Sequence, residues 1–394
     1  MTSFDEALAL LVGAVRPLPA ESVPLEQAAG RFLAAPLHAR SDAPSRAVSA
    51  MDGYAVTLEN VEPDRWMSLA GESRPGLPDP GTLEPGTAMR IFTGAPLPAG
   101  ADCVIMQEYA EREGGQVRFR SGFGPARHVR TAGSDFRAGD LLLAAGTSLA
   151  PRAMVAAASA DRDTVEVSTT PKIAIIATGD ELAAPGTAHL KTGAISESAS
   201  YGVAAMCEAM GCEVVLRARG ADRLELLEEV AAKALEAADC VVVTGGASVG
   251  DHDLAKPMFG KAGLDLVFAG VAIKPGKPVW FGRANGRLVM GLPGNPTSAM
   301  VTARLFLRPL LAAMQGGIPA AELRFVSMPL AASLPHAGDR ETFVRATATL
   351  EGLVPVGNQE SGAQAPLAAA DWLIRRPAGS PACNKGALVE ALPF

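Results

Sequence analysis

Lys172-Ile-Ala-Ile-Ile-Ala-Thr178 and, further on, Asp239-Cys-Val-Val-Val-Thr244 decide the fold of this 394-residue chain. Each is a short, continuous apolar run, as expected of a strand covered on both faces. Between them, Ser200 to Met210 reads as a helix and Glu213-Val-Val-Leu-Arg-Ala218 as a strand. Asp222 then stands where a helix cap belongs. Leu224, Leu227, Ala231 and Leu235 share one face of the helix after it, and Glu225, Glu229 and Lys233 take the solvent side. Strand, helix, strand, helix, strand predicts a doubly wound, mostly parallel α/β sheet.

Three Gly/Pro-rich turns follow apolar runs in this region: Thr244-Gly-Gly-Ala-Ser-Val-Gly-Asp-His-Asp253, Lys274-Pro-Gly-Lys-Pro278 and Gly291-Leu-Pro-Gly-Asn-Pro296. Glycine lets backbone amides approach a ligand, proline stiffens the flanks, and such sheets bind ligands at the carboxyl ends of their strands. Two of the chain's eight lysines, Lys274 and Lys277, sit on the middle turn. Cations beside glycine-rich amides suit a phosphate or another tetrahedral oxyanion. After the turns, Thr297 should start a helix that Pro309 kinks and Gly316-Gly-Ile-Pro319 ends.

Outward from this core, Ser3-Phe-Asp-Glu6 is a capping box for a helix with Phe4, Leu8, Leu11 and Val15 on one face. From about 21 to 140, short alternating runs such as Ala101-Asp-Cys-Val-Ile-Met-Gln107 predict short strands and many loops, without a long helix. Pro151 to Ala160 reads as a short helix. Beyond about 320, runs such as Glu341-Thr-Phe-Val-Arg-Ala-Thr347 predict a small β domain.

Composition narrows the function classes. Apolar residues at 48% and charged residues at 20% describe an ordinary globular protein, and a net charge of −7 argues against a nucleic-acid surface. No apolar stretch reaches membrane-spanning length, because Arg304 and Arg308 interrupt the best candidate. The amino-terminal residues lack a signal-peptide pattern, and five scattered cysteines make no disulfide framework, so a cytoplasmic location is expected. There is no Cys/His cluster for zinc, no Walker A sequence and no G-x-G-x-x-G fingerprint. Gly246-Ala-Ser-Val-Gly250 matches the G-x-S-x-G elbow of serine hydrolases, but only His252 and His336 follow it. His252 is too close in sequence for the usual order of partners, so the segment reads instead as an amide-rich anion loop. Asp52, Asp135, Glu181, Asp222, Asp251 and Asp253 lie in or beside Gly-containing turns or at helix starts, where carboxylates commonly cap and also suit Mg²⁺.

The chain resembles the molybdopterin molybdenumtransferase family, which includes bacterial MoeA-type proteins and the E domain of gephyrin. The resemblance runs in order through Ser49-Ala-Met-Asp-Gly-Tyr-Ala55, Phe92-Thr-Gly-Ala-Pro-Leu-Pro-Ala-Gly-Ala-Asp102, and Arg130-Thr-Ala-Gly-Ser-Asp135 with Gly139-Asp140. It continues through Thr178-Gly-Asp-Glu-Leu182, the three turns above, Phe343-Val-Arg345 and Gln359-Glu-Ser-Gly362. It departs at Glu197-Ser198-Ala199, where the family usually has Asp-Ser-Asn, so a possible polar contact to substrate is missing.

The resemblance implies a multidomain α/β plus β architecture of four parts. Residues 1–20, 38–46 and 137–169 would form a discontinuous helical domain, and 21–37 with 47–136 a β-rich domain. Residues 170–318 would form the α/β molybdopterin-binding domain and 319–394 a small C-terminal β barrel. It also implies insertion of molybdate into adenylylated molybdopterin with release of AMP, assisted by Mg²⁺. The implied catalytic residues are Asp52, Thr93, Asp135, Glu181 and Asp222, with Glu181 and Asp251 on the metal. Thr178, Gly179, Asp180, Gly245, Gly246, Ser248, Gly250, Asp251, Asp253, Pro293, Gly294 and Asn295 would hold the pterin substrate. Lys274, Lys277, Pro278, Ser298, Arg345 and Ser361 would bind molybdate. A homodimer with its site across the interface is implied, with a molybdopterin adenylyltransferase and molybdoenzymes or cofactor carriers as partners, and neither nucleic acid nor membrane. The alternative is a molybdopterin-binding scaffold or adenylyltransferase-like protein without metal insertion.

Overall fold

The computed structural model describes residues 1–76, 78–246 and 254–394. The chain forms two compact units, one of Pro36–Ala144 with Met154–Asp163 and the other of Met1–Ala35, Ala145–Ala153 and Thr164–Phe394.

The smaller unit is built on β1 (Gly53–Val56), β2 (Met67–Ser73), β3 (Thr87–Ile91), β4 (Cys103–Met106), β5 (Ala110–Glu113) and β6 (Gln116–Phe119). They make one mixed sheet in the order β4-β1-β3-β2-β6-β5. Alternation with a period of two covers both faces: Tyr54, Val56, Ala88, Cys103 and Ile105 pack on one, and Ala55, Met89, Ile91 and Val104 on the other. Gly53 is required where β1 meets β4, because a Cβ there would stand 2.0 Å from the Ile105 carbonyl oxygen. Among the described residues, the helical turns between 21 and 140 are all short 3-10 turns, as the sequence predicts.

The larger unit opens with α1 (Phe4–Ala14), whose cap is the Ser3 Oγ accepting the Glu6 N–H at 3.2 Å. Phe4 packs edge-on to Phe306 and Phe343. The α/β core comprises β7 (Lys172–Thr178), α2 (Ala199–Ala209), β8 (Glu213–Gly220), α3 (Leu224–Ala237), β9 (Cys240–Thr244), β10 (Asp265–Ala269), β11 (Ile273–Lys274), β12 (Trp280–Ala284) and β13 (Arg287–Leu292). Sheet order is β8-β7-β9-β13-β12-β10. The first four strands are parallel, and β12 and β10 extend the sheet as antiparallel neighbours. Ile173, Ile175 and Val242 face α2, whereas Ala174, Ile176, Val241 and Val243 face α3, so both faces of the central strands are dry.

Two local expectations change. Asp222 does not cap α3; the cap position is Arg223, without a side-chain cap bond, because Asp222 exchanges hydrogen bonds with Asp180. The next helix begins at Pro296 behind Asn295, one residue before Thr297. It runs as α4 (Pro296–Thr302), widens to a π-helical turn over Ala303–Leu307 and resumes as α5 (Arg308–Met314). Pro309 lacks an N–H, and its ring would collide with the carbonyl four residues earlier, so the wide turn absorbs the conflict.

The C-terminal strands are β14 (Val326–Pro329), β15 (Glu341–Thr349), β16 (Gly352–Pro355), β17 (Trp372–Arg376) and β18 (Leu388–Pro393). The path β16-β15-β17-β18-β14 closes through a bridge between Leu330 and Leu353, giving a small barrel around Leu330, Ala346, Leu353, Ile374 and Ala391. β11 pairs parallel with β15, so the first lysine of the Lys274–Pro278 turn belongs to this C-terminal sheet.

Candidate active site

A cleft of about 1060 Å³ opens in the larger unit where the parallel strands end. β7 contributes Thr178, Gly179 and Glu181; β8 leads to Asp222; β9 delivers Thr244, Gly245 and Gly246; β13 leads to Pro293, Gly294 and Asn295. Gly245 has φ +98, and a Cβ there would stand 2.4 Å from the Thr178 carbonyl oxygen, so only glycine permits this approach of the β7 and β9 turns. Asp180 and Asp222 tie the β7 and β8 turns together: the Asp222 N–H donates to Asp180 Oδ1 at 3.0 Å, and the Asp180 N–H to Asp222 Oδ2 at 3.3 Å.

Two hydroxyls of cleft residues are buried without a hydrogen-bond partner among the described residues, Thr178 Oγ1 and Ser198 Oγ. Buried polar atoms are ordinarily paired, so a ligand rich in oxygen or nitrogen would satisfy them. Beside them the buried Glu197 carboxylate accepts the Ser200 N–H at 2.8 Å and the Ser200 hydroxyl at 2.6 Å. Glu197 thus fastens the first turn of α2, a role that the sequence does not display.

The cleft carries charges of both signs. Glu181, Glu197 and Asp222 line it, as do Lys256 and Lys277. Lys277 and Pro278 line the cleft, whereas Lys274 is not among its lining residues. Gly276 between them has φ +111 and is packed against Thr302. Lys256, whose ammonium lies 5.9 Å from the Trp280 ring centroid, is a cleft cation that sequence reasoning missed. Its position three residues beyond the Gly-rich turn was the available signal.

The segment between β16 and β17 also reaches the cleft, through Gly362 and Gln364. Arg345 is 1% exposed and donates to the carbonyls of Asn358, Glu360 and Ala363 at 3.0 to 3.3 Å. Burial pushes its guanidinium below the usual arginine range. These bonds engage both terminal nitrogens with the loop, and Arg345 is not among the residues that line the cleft. The supported loop meets the start of α4: Asn295 Nδ2 donates to Ser361 Oγ at 2.9 Å, and Thr297 Oγ1 to the Ala363 carbonyl at 2.9 Å. Ser361 and the buried Ser298 do not line the cleft themselves.

Asp52, Thr93 and Asp135 lie in the smaller unit. Val48–Ser49 pairs with Val129–Arg130, and Ser49 exchanges backbone hydrogen bonds with the 94–95 turn, drawing three motif segments together. Asp52 Oδ1 accepts the Thr93 N–H at 2.7 Å and the Thr93 hydroxyl at 2.8 Å. These bonds, and behind them the Arg90 charge, hold the Asp52 carboxyl below the usual carboxylate range.

Among the described residues no three His, Cys, Asp or Glu side chains gather as a metal site. The Glu181 carboxylate lines the cleft and accepts no hydrogen bond from a described residue. One or two carboxylates completed by substrate oxygens are what Mg²⁺ commonly takes, so Glu181 fits such an ion. Ser248, Gly250, Asp251 and Asp253 lie outside the described residues.

Fold and cleft define an α/β protein whose glycine turns and cations face a cavity at the strand ends, suited to an anionic ligand. Three family descriptions match in sequence order: "MoeA N-terminal region (domain I and II)" over residues 2–161, "Probable molybdopterin binding domain" over 174–313 and "MoeA C-terminal region (domain IV)" over 327–394. The molybdopterin molybdenumtransferase of Nostoc sp. is 34% identical over 389 residues, covering 95% of this chain and 89% of its own. That of Haemophilus influenzae is 35% identical over 318 residues, covering 80% and 78%. The crystal structure of the molybdopterin biosynthesis moeA protein from Pyrococcus horikoshii OT3 superposes with a TM-score of 0.86 at 28% identity, covering 100% of both chains. The chain belongs to the molybdopterin molybdenumtransferase family.

Proposed function

We propose that this protein inserts molybdenum from molybdate into adenylylated molybdopterin and releases AMP, as a Mg²⁺-dependent cytoplasmic homodimer. The observation that carries the reading is the assembly of Thr178, Gly179, Glu181, Gly245, Gly246, Lys277, Pro278, Pro293, Gly294 and Asn295 around one cavity. The pterin nucleotide occupies the strand-end cleft, with Thr178 Oγ1, Ser198 Oγ and the glycine turns supplying hydrogen bonds. Lys277 attracts the tetrahedral molybdate dianion by charge and Lys256 adds a second cation. Glu181, with Asp251, would hold Mg²⁺, which supplies charge neutralisation at the adenylyl phosphate. Asp52 acts as a fixed acceptor, since Thr93 already holds one of its oxygens.

The test is incubation of the protein with adenylylated molybdopterin, Mg²⁺ and molybdate, following AMP. Molybdate-dependent AMP release supports the reading. Nucleotide binding without release would favour a scaffold that binds molybdopterin without inserting metal.

A further inference from the structure

Arg90 on β3 is half-buried and joined to both segments that carry the Asp52–Thr93 pair. Its Nη1 donates to the Gly53 carbonyl at 2.9 Å and its Nη2 to Gln107 Oε1 at 2.7 Å. Gln107 in turn donates its backbone N–H to the Asp52 carbonyl at 3.1 Å. The guanidinium lies 4.7 Å from the Phe92 ring centroid and 5.2 Å from that of Tyr54. Phe92 directly precedes Thr93, and Tyr54 is two residues from Asp52 and stacks edge-on to Phe119 in the core. One planar cation therefore grips the backbone after Asp52, the residue bonded to the Asp52 carbonyl, and the ring before Thr93.

Resting on the reading that Asp52 takes part in the reaction, we infer that Arg90 is the positioning residue that holds the Asp52 carboxylate and the Thr93 donors in register. A lysine could not do this. Its ammonium is a point charge without the planar fork that bonds two acceptors while stacking between rings. The Arg90 charge also favours the ionised carboxylate, secondary to the Thr93 hydrogen bonds.

The experiment compares Arg90→Gln and Arg90→Lys, each alone and combined with Asp52→Asn, in AMP release by the full chain. Residues acting through one another give non-additive losses. Arg90→Gln should lower kcat about tenfold and leave the KM for molybdate within about twofold, with Arg90→Lys recovering little of the loss. In the Asp52→Asn background the further loss should shrink below about twofold. Full additivity would show that Arg90 supports only the fold and would overturn the inference. Hydrogen exchange of the Thr93 amide gives a readout independent of activity: it should accelerate in Arg90→Gln while β6 stays protected. Unchanged exchange overturns the positioning role whatever the kinetics. If Asp52→Asn alone leaves AMP release intact, the assignment of Asp52 fails, and exchange alone then decides whether Arg90 holds the pair.

Discussion

At the scale of single residues, Lys277 and Glu181 share one cleft but should fail differently. A charge-assisted contact is worth about 1.5–3 kcal/mol, so Lys277→Ala should weaken molybdate binding roughly ten- to a hundredfold. Excess molybdate should then restore most of the rate, which it should not do for Glu181→Gln. Rate against molybdate concentration separates the two, and equal impairment at saturating molybdate would move Lys277 to the nucleotide phosphate. Asp52 gives a prediction in pH. Its native pKa is lowered, chiefly by the Thr93 N–H and hydroxyl. Its contribution to stability is therefore complete above the ordinary carboxylate range and lost as pH falls through the lowered native value. Thr93→Val removes the hydroxyl bond, so the Asp52 carboxyl should titrate at a higher pH than in the parent. The carboxyl carbon resonance followed against pH reads the midpoint, and an unmoved midpoint contradicts the assignment.

Among elements, the loop from Asn358 to Ala363 shows how the C-terminal sheet serves the α/β cleft. Arg345 on β15 holds three of its carbonyls, and Gln359 returns a bond from its Nε2 to the Arg345 carbonyl at 2.8 Å. Leaving buried acceptors unpaired costs about 1–3 kcal/mol, so Arg345→Met should lower stability by about that amount in urea unfolding. Because both terminal nitrogens are engaged with the loop, molybdate affinity should change less than in Lys277→Ala. A larger loss of affinity for Arg345→Met than for Lys277→Ala would return Arg345 to the anion site. The same logic of local satisfaction explains Glu197, whose longer side chain reaches both donors of Ser200 and closes the first turn of α2.

For the whole molecule, the proposed homodimer, with the shared sites that the family resemblance implies, predicts complementation. Mixing Asp52→Ala chains with Lys277→Ala chains should restore part of the AMP release that each lacks alone. Full activity in a verified monomer would contradict it. The cysteines offer a test of the packed core. Cys207 is pushed up to about 12 by burial, and burial raises Cys103, Cys212 and Cys240 as well. Thiols raised in this way stay protonated and unreactive at neutral pH. Cys383 is only half-buried. Iodoacetamide at pH 8 should therefore modify Cys383 first, with the other four reacting only after unfolding. Peptide mass mapping checks the order, and early labelling of Cys207 would contradict the packing around α2.

The sequence by itself determined the features governed by neighbouring residues. The Ser3 cap, the apolar runs of β7 and β9, the amphipathic face of α3 and the alternation of the C-terminal strands follow from spacing and propensity. Glycine at 245 was legible as a turn residue for the same reason. The β7, β9 and β13 turns could be expected together because parallel strands share a carboxyl edge. Tertiary structure decided what depends on contacts between distant segments. It placed Lys277 at the cleft while β11 drew Lys274 into the C-terminal sheet, although the two are three residues apart. It turned Asp222 from a cap into the partner of Asp180, brought Ser361 to Asn295 across 66 residues, and spent Arg345 on backbone carbonyls. Local periodicity specifies which face of an element is buried. Which charged side chain on that face meets solvent, carbonyl or cleft is settled only when the other segments arrive and compete for its hydrogen bonds.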